Sequence, residues 1–426
     1  MPREEDEFRL SYPMNEYTPL TRGQWYALAA AFLGWMFDGV EMGLTPIVAR
    51  PALQDLLGIT DDRLVALWNG RIVACFLLGA ACGGLLFGWL GDKFGRVRAM
   101  TVSVLTYALF MGCGYFAQEP WHLAVVLFLS ALGMGGQWSL GVALVMECWP
   151  ERHRPKLAGV MGAASNVGFL MIAAVGSCFA VTRESWRWLM LVGASPALLA
   201  IFISLKVPES QRWKDAEKKG RVNPILEIFK AGLRRKTLLA IAFAAIPLIG
   251  TWAAVAGWIP VWADQMAGDK QPHAKAIVQI ASSMGAIIGC LVAPIVGGMV
   301  GRRPVYFGLC VLSLASCGYM FRAFDSYSTA FVLMAAVVGC VTAAFYGWLP
   351  LYLSELFPTR VRATGQGLSY NSGRILAAVG ALYMGQLVGM FNGSYSRAGA
   401  TITLIYALGM ILIWFAPETK GKPLPD

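Results

Sequence analysis

Charged residues are scarce in this chain of 426 residues. They make up 14% of the sequence, whereas soluble domains carry roughly a quarter. Because 57% of the residues are hydrophobic, this composition excludes an ordinary soluble fold. Histidine is also rare, with only His122, His153 and His273 in the whole chain, and no group of His, Cys, Asp and Glu has metal-ligand spacing. The sequence therefore predicts no metal site.

Other signals are missing as well. The first twenty residues are acidic and lack an apolar run followed by a small-residue cleavage site, so we expect no removable signal peptide. No loop of the form G-x-x-x-x-G-K-S/T is present, and Gly133–Gly136 lies inside an apolar run with no strand before it. The nine cysteines lie in or beside apolar runs, which favours free thiols over disulfides. We therefore expect a protein without a cofactor that is not an enzyme.

Long apolar runs take up most of the chain. A bilayer core about 30 Å thick is crossed by a helix of about 20 apolar residues. The sequence accordingly predicts an all-α integral membrane fold. The twelve predicted spans are residues 25–48, 66–90, 99–117, 120–146, 157–181, 188–207, 237–263, 276–300, 304–321, 328–353, 364–390 and 399–416.

The excess of basic residues has a topological explanation. With the N-terminus inside, 25 of the 35 Lys and Arg fall in cytoplasmic segments, eight fall in outer loops, and only Arg71 and Arg374 lie within spans. Such a bias predicts that both termini are cytoplasmic. Anionic membrane lipid, rather than nucleic acid, is the expected partner of the basic segments. Arg71 lies near the outer end of its span, which favours a snorkelling role.

The chain contains an internal repeat. The pattern E-x-aromatic-P-x-R-x-R begins at Glu147 and again at Glu355, 208 residues later, and Pro208-Glu209 recurs as Pro417-Glu418, 209 residues later. Two offsets this similar predict two pseudo-symmetric six-helix bundles. We expect an N-terminal tail (1–24), a first bundle (25–207), a basic linker (208–236), a second bundle (237–416) and a C-terminal tail (417–426).

A resemblance to a known family rests on three motifs. The loop 88–98, GWLGDKFGRVR, resembles the signature loop of the major facilitator superfamily, and both E-x-aromatic-P-x-R-x-R copies and the terminal PETKG at 417–421 agree with it. The resemblance covers essentially the whole chain. It implies the major facilitator fold and transport by alternating access.

A narrower resemblance rests on residues 22–26, 38–41, 133–136 and 370–374. These stretches are similar to bacterial proton-coupled importers of organic acids, such as sialic acid, aromatic acids and nicotinate. The resemblance implies a symporter, here expected as a monomer in the inner membrane. Two departures stand out: Gln137 replaces a glutamate that relatives often carry, and the second copy of the signature loop, at 297–303, has no aspartate.

Asp38 and Glu41 are candidates for proton coupling. They lie one helical turn apart in an apolar span, with Asp38 roughly 20 Å from its cytoplasmic start at about 1.5 Å per residue. A charged side chain at mid-membrane needs a partner or a wet cavity. We expect the pair to face the pathway between the halves and to titrate as one unit. A structural alternative is that they cap a bend or pair permanently with an arginine.

Arg374 is the candidate substrate-anion site. Its guanidinium stays charged when buried and its planar donors match a carboxylate. The alternative is a fixed salt bridge to Asp38 or Glu41, and the two roles can alternate if the substrate and the acid compete.

Five further residues are candidates for the substrate site: Gln137, Asn371, Trp138, Tyr346 and Trp252. The first two are hydrogen-bonding groups near mid-membrane, and the other three are aromatic residues at similar depth. Contacts between helices explain the amides equally well, and ordinary packing explains the aromatic residues.

The family resemblance also implies a cytoplasmic gate. Its members would be Asp92, Arg96, Glu147 and Arg154 in the first half and Glu355 and Arg362 in the second, joined in an ion-pair network that breaks when the inside opens. Without a second aspartate, this gate is expected to depend mainly on the first half. Ordinary surface ion pairs are the alternative.

Taken together, the residues and the resemblance predict an importer of a small organic anion driven by protons. A proton-coupled exporter of drugs or metabolites uses the same scaffold. A transporter-derived sensor without flux is a further alternative, favoured only by Gln137.

Overall fold

The described residues of the first half form helices that are joined by short connections. The structure is a computed structural model that describes residues 20–58, 62–179, 181–220, 222–268, 271, 273–391 and 394–426. The helices of the first half and the linker are α1 (Arg22–Leu57), α2 (Asp62–Phe94), α3 (Arg96–Cys113), α4 (Pro120–Cys148), α5 (Arg154–Cys178), α6 (Trp186–Val192), α7 (Ala197–Lys206), α8 (Gln211–Lys218) and α9 (Pro224–Ile228).

The second half repeats this arrangement. Its helices are α10 (Ala231–Pro247), a π-helical segment (Leu248–Ala256), α11 (Ile259–Ala267), α12 (Ala274–Val300), α13 (Arg302–Ala323), α14 (Thr329–Leu356), α15 (Arg362–Met390), α16 (Tyr395–Ile402) and α17 (Ile405–Leu412). Within the described residues, ten helical stretches are long and apolar enough to cross a membrane. The run from α10 to α11 and helix α15 complete the twelve predicted crossings.

Three crossings that the sequence predicts as continuous are broken. The sixth is split between α6 and α7 by a turn that ends at Pro196, the seventh passes through the π-helical segment, and the twelfth is split between α16 and α17. Pro247 explains the seventh, because proline has no N–H to donate to the carbonyl four residues earlier. That carbonyl, on Phe243, instead accepts a hydrogen bond from the Tyr306 hydroxyl at 3.1 Å.

The internal repeat reappears as matching hydrogen bonds. The Glu209 carboxylate accepts from the first two N–H groups of α3, at 2.9 and 3.0 Å, and Glu418 accepts from the first two of α13 at the same distances. Arg96 pairs with Glu147 at 3.0 Å, and Arg302 pairs with Glu355 at 2.6 Å. The two halves are therefore built on the same local contacts.

The two halves touch closely where small residues allow it. A Cβ added to Gly367 on α15 would lie 2.0 Å from the carbonyl oxygen of Gly84 on α2, and one added to Gly162 on α5 would lie 2.4 Å from that of Tyr346 on α14. Only glycine permits this approach. These contacts close the molecule toward the end at which α1 begins and at which the C-terminus lies.

Candidate functional site

A cavity of about 700 Å³ separates the halves beyond this closed end. Trp35, Asn166 and Phe169 line it from the first half, and Tyr370 and Arg374 line it from the second. Its lining continues to Asp264, His273 and Lys275, which are exposed at the end opposite the chain termini. The cavity is therefore accessible from one end of the molecule and closed at the other.

Aromatic rings form the deep part of the cavity wall. Tyr370 stacks on Trp138 with ring centroids 3.9 Å apart and planes 14° apart, and it meets Trp35 edge to face at 5.9 Å. Tyr346 lies 6.4 Å from the same tyrosine ring. Such offset and edge-to-face contacts hold rings in fixed positions. The cluster thus provides a rigid apolar surface beneath the cavity.

Arg374 lies one helical turn beyond Tyr370 on α15 and lines the cavity. It is 2% exposed, and its Nε and Nη1 atoms have no hydrogen-bond partner. Its charge interacts with Asp38 and Glu41, yet within the described part of the chain no carboxylate forms an ion pair with it. Buried charges are normally paired. The guanidinium is therefore free to receive an anion from the cavity.

Asp38 and Glu41 lie behind the cavity wall rather than on it. Neither is among the residues that line the cavity, and their exposed fractions are 0% and 4%. Both Asp38 carboxylate oxygens lack a hydrogen-bond partner, whereas Glu41 Oε1 is hydrogen-bonded to the Ser130 hydroxyl. In this conformation the structure thus differs from the sequence expectation that both acids face the pathway. The reason is that α1 turns this face toward α3 and α4.

The other predicted substrate residues differ in whether they line the cavity. Tyr346 lines the cavity, and Trp138 supports the wall through its stack on Tyr370 without lining the cavity. Gln137 is buried against Gly34, away from the lining, with both amide atoms unpartnered. Asn371 donates to the Gly135 and Gly367 carbonyls, both at 3.0 Å, and so joins α15 to α4 across the halves. The side chain of Trp252 lies outside the described part of the structure.

A buried ion network closes the end that carries the termini. We call Asp92, Arg96, Glu147 and Arg362 the terminal network. Arg96 bonds to Asp92 at 2.8 Å and to Glu147 at 3.0 Å, and Arg362 of the second half bonds to Glu147 at 2.8 Å. Every one of these ionic side chains is 0% exposed, and their formal charges cancel. Such a network satisfies its own charges only while the halves are together.

Arg154 and Glu355 do not join this network. Arg154 pairs with Glu151 at 2.7 Å, and Glu355 pairs with Arg302, so each stays within its own half. Of the six residues predicted for the gate, four form one ion network in this conformation, and the charges of the other two, Arg154 and Glu355, interact with each other without an ion pair. Arg302, which the sequence analysis did not single out, is the true partner of Glu355.

The repeat also explains why the network is one-sided. Asp92 accepts from the N–H groups of Ala363 and Thr364, at 3.2 and 2.8 Å, and so caps α15 of the opposite half. The match of Arg96 to Arg302, 206 residues later, makes Gly298 the counterpart of Asp92. The match of Glu147 to Glu355 makes Pro155, which has no N–H, the counterpart of Ala363. A Cβ added to Gly298 would lie 3.3 Å from the Pro155 ring. Donor and acceptor are thus both missing on that side, and an apolar contact takes their place.

Sequence reasoning missed several residues around the acids. Ser130 on α4 forms a hydrogen bond with Glu41. The Tyr107 hydroxyl on α3 is buried without a hydrogen-bond partner and interacts electrostatically with both acids. Ser130 lies seven residues before Gln137, which places both on one face of α4. That spacing was a usable signal for Ser130, whereas nothing in the sequence singled out Tyr107.

Comparisons with known proteins agree with this architecture. The sequence profile described as Major Facilitator Superfamily matches residues 27–381. A probable 4-methylmuconolactone transporter of Cupriavidus pinatubonensis is 28% identical over 92% of this chain and 90% of its own length. The sialic acid transporter NanX of Escherichia coli is 26% identical over 93% and 94%.

A solved structure of the proton:xylose symporter XylE superimposes with a TM-score of 0.76 at 18% identity, covering 94% of this chain and 98% of that one. At this identity the likeness concerns the fold alone. The profile covers most of the chain, and the relatives named above are transporters, not enzymes. The chain is therefore a multi-pass membrane transporter and belongs to the major facilitator superfamily.

Proposed function

We propose that the protein imports a small organic anion together with protons by alternating access. The observation that carries this proposal is Arg374, a buried guanidinium on the cavity wall with two unpartnered nitrogens. Two buried carboxylates, Asp38 and Glu41, lie behind the wall and interact with its charge. One site for an anion and one for a proton are thus electrostatically coupled.

The substrate is a monocarboxylate with an apolar or planar body. Arg374 supplies one positive charge and a planar fork of donors, which matches one carboxylate. The stack of Trp138 and Tyr370 and the edge of Trp35 provide an apolar surface one helical turn away. Two relatives, a probable 4-methylmuconolactone transporter and a sialic acid transporter, support an organic acid over a neutral sugar as the substrate.

Proton coupling follows from competition for the guanidinium. When a substrate carboxylate binds Arg374, Asp38 loses the positive charge that stabilises its ionised form. An unpaired carboxylate in an apolar site then takes up a proton. Substrate and proton are consequently bound together and move together.

The described conformation corresponds to the outward-facing state if the termini are cytoplasmic, as the charge distribution predicts. The terminal network is closed, and the cavity is accessible from the opposite end. Inward opening would break the bonds of Glu147 to Arg362 and of Asp92 to Thr364 while water solvates the separated charges. We place the protein as a monomer in the bacterial inner membrane, with lipid around its two bundles and the bundle boundaries as predicted.

Uptake into proteoliposomes tests this function. With an acidic exterior, a radiolabelled monocarboxylate such as a hydroxybenzoate should accumulate against its gradient, and a proton uncoupler should abolish the accumulation. Asp38→Asn should abolish proton-driven accumulation and leave substrate exchange measurable. Asp325→Asn, an exposed acid far from the site, is the matched control and should behave as the parent protein.

The same assay separates the alternatives. Proton entry that empties substrate from the vesicles would identify an exporter, and binding without flux would identify a sensor. Unchanged uphill uptake in the Asp38→Asn variant would contradict the proposed coupling.

A further inference from the structure

The hydroxyl of Ser130 lies between two oxygen atoms. One is Glu41 Oε1, and the other is the backbone carbonyl oxygen of Tyr107, at 3.1 Å. Ser130 is 0% exposed, so water does not mediate these contacts. A serine hydroxyl carries a single hydrogen, whereas an ionised carboxylate and a carbonyl are both acceptors only.

Hydrogen counting then decides how the contacts are made. With Glu41 ionised, Ser130 can donate to only one of the two oxygens, and the other faces a lone pair at close range. With Glu41 protonated, its O–H donates to Ser130 Oγ, and the Ser130 hydrogen donates to the Tyr107 carbonyl. Both contacts are hydrogen bonds only in the second arrangement.

We infer that Glu41 carries a proton in this conformation and that Ser130 is the positioning residue that holds it. The inference deepens the proposed function, on which it rests, by assigning different states to the two acids. Glu41 is the neutral acid, and Asp38 is the ionised acid whose charge interacts with that of Arg374 without a direct ion pair. No covalent step is involved, since one proton resides on Glu41 Oε1 and the hydroxyl hydrogen turns toward α3.

The charges around Glu41 support this division. Three titratable groups surround Glu41, namely Asp38 on the same helix, Tyr107 on α3 and Arg374 on α15. Ser165 on α5, which packs against Gly39, is uncharged. Two ionised carboxylates against one guanidinium would leave a net negative charge in a fully buried cluster. One proton makes the cluster neutral, as burial requires.

The two acids consequently have different roles in the cycle. Asp38 shares Arg374 with the incoming substrate, so its protonation changes when substrate binds. Glu41 does not touch the cavity and keeps its proton through that step. Ser130 keeps the proton in place because its hydroxyl can accept from Glu41 without losing its own bond to the Tyr107 carbonyl.

Infrared difference spectroscopy on the purified full chain tests the assignment at neutral pH. The parent protein should show the C=O stretch of a hydrogen-bonded carboxylic acid that is sensitive to deuterium exchange. Glu41→Gln should remove this band, because Asp38 and Arg374 then balance each other's charge. Ser130→Ala should shift it to the position of a free acid, and Ser130→Thr, which retains a hydroxyl, should restore it.

Ser103→Ala is the matched control, because Ser103 is equally buried and donates to the Gly133 carbonyl at 2.6 Å, away from any acid. The control should leave the band unchanged. Absence of the band in the parent protein, or its survival in Glu41→Gln, would overturn the inference. If Ser130→Ala does not fold, the spectra of the parent protein and of Glu41→Gln still decide.

Failure of the inference and failure of the proposed function are distinguishable. A Glu41 band in a protein whose uptake ignores the proton gradient would contradict symport and leave the assignment intact. Proton-driven uptake without such a band would contradict the assignment and leave symport intact.

Discussion

Arg374 shows how one residue can connect two ligands. Its side chain lies between the cavity on one side and the buried pair of Asp38 and Glu41 on the other. The guanidinium has fewer partners than a buried cation normally needs. In the proposed mechanism a substrate carboxylate is the missing partner, and its competition with Asp38 for the guanidinium couples substrate binding to protonation.

Replacement of Arg374 by lysine should weaken substrate binding strongly. Lysine keeps the charge and loses the planar pair of donors, and a hydrogen bond to a charged group contributes about 1.5–3 kcal/mol. We expect the half-saturating substrate concentration to rise roughly tenfold or more, since each 1.36 kcal/mol is a factor of ten. Arg71→Lys is the control, because Arg71 is exposed beside Trp68 and outside the cavity. Equal substrate affinity in the two variants would argue against Arg374 as the anion site.

Helix N-termini show the same chemistry used for two purposes. Asp92 caps α15 across the halves, whereas Glu418 caps α13 within its own half. Both carboxylates satisfy backbone N–H groups that have no partner inside the helix. In the proposed transport cycle, only the cap that crosses between the halves would be broken.

Asp92→Ala should therefore shift the conformational equilibrium, and Glu418→Ala should not. Loss of Asp92 removes bonds that exist only while the end carrying the termini is closed, so the opposite conformation gains population. Spin labels on the exposed residues Arg98 and Lys420 would report a longer distance in pulsed dipolar spectra. A distribution that is identical in the two variants would show that the Asp92 cap has no part in closure.

Glu418→Ala should instead lower stability by about 1 kcal/mol, the usual contribution of a helix cap. Burial opposes ionisation of this carboxyl, but the N–H groups of Arg302 and Arg303 outweigh burial and hold the pKa of Glu418 below its usual value. The stabilisation is therefore present at neutral pH and is lost as pH falls through the lowered pKa. The thermal-stability difference from the parent should shrink in acid. A difference that grows toward low pH would contradict this sign.

At the scale of the whole molecule, the two bundles repeat the same hydrogen bonds and ion pairs and differ in one contact between the halves. Asp92 bonds to α15 on one side of the closed end, and Gly298 merely touches Pro155 on the other. Polar bonds are directional and break on separation, whereas an apolar contact between small groups tolerates sliding. The asymmetry predicts that the halves separate first along α2 and α15.

Gly367→Ala tests the importance of close approach between the halves. Its Cβ would lie 2.0 Å from the Gly84 carbonyl oxygen, so α2 and α15 must move apart and the closed terminal end is disfavoured. Gly308→Ala on α13 is the control, because nothing lies within 4 Å of the added carbon. We expect the first variant to lose most transport and to populate the opposite conformation in the spin-label distances. Normal transport by Gly367→Ala would contradict the view that α2 and α15 must pack this closely.

Composition and spacing were sufficient to predict twelve crossings and the internal repeat, and they gave an expected depth in the membrane for Asp38 and Arg374. These properties follow from the local chain, because the bilayer requires long apolar helices and penalises charge at mid-membrane wherever it occurs. The breaks at Pro196 and Pro247 were missed, because the mean hydropathy of a span hardly changes when one backbone N–H is lost. The motif of residues 370–374 also correctly singled out a segment of the cavity wall.

Which face of each helix meets the cavity was decided only by packing. Asp38 and Glu41 turn toward Tyr107 and Ser130 because Gly39 brings α1 against α5, and Arg154 stays with Glu151 instead of crossing to the second half. Rotations of this kind depend on side chains that are distant in the chain, since Ser130 lies 89 residues from Glu41. One-dimensional spacing fixes how deep a residue lies, and contacts between distant helices fix the direction in which it points.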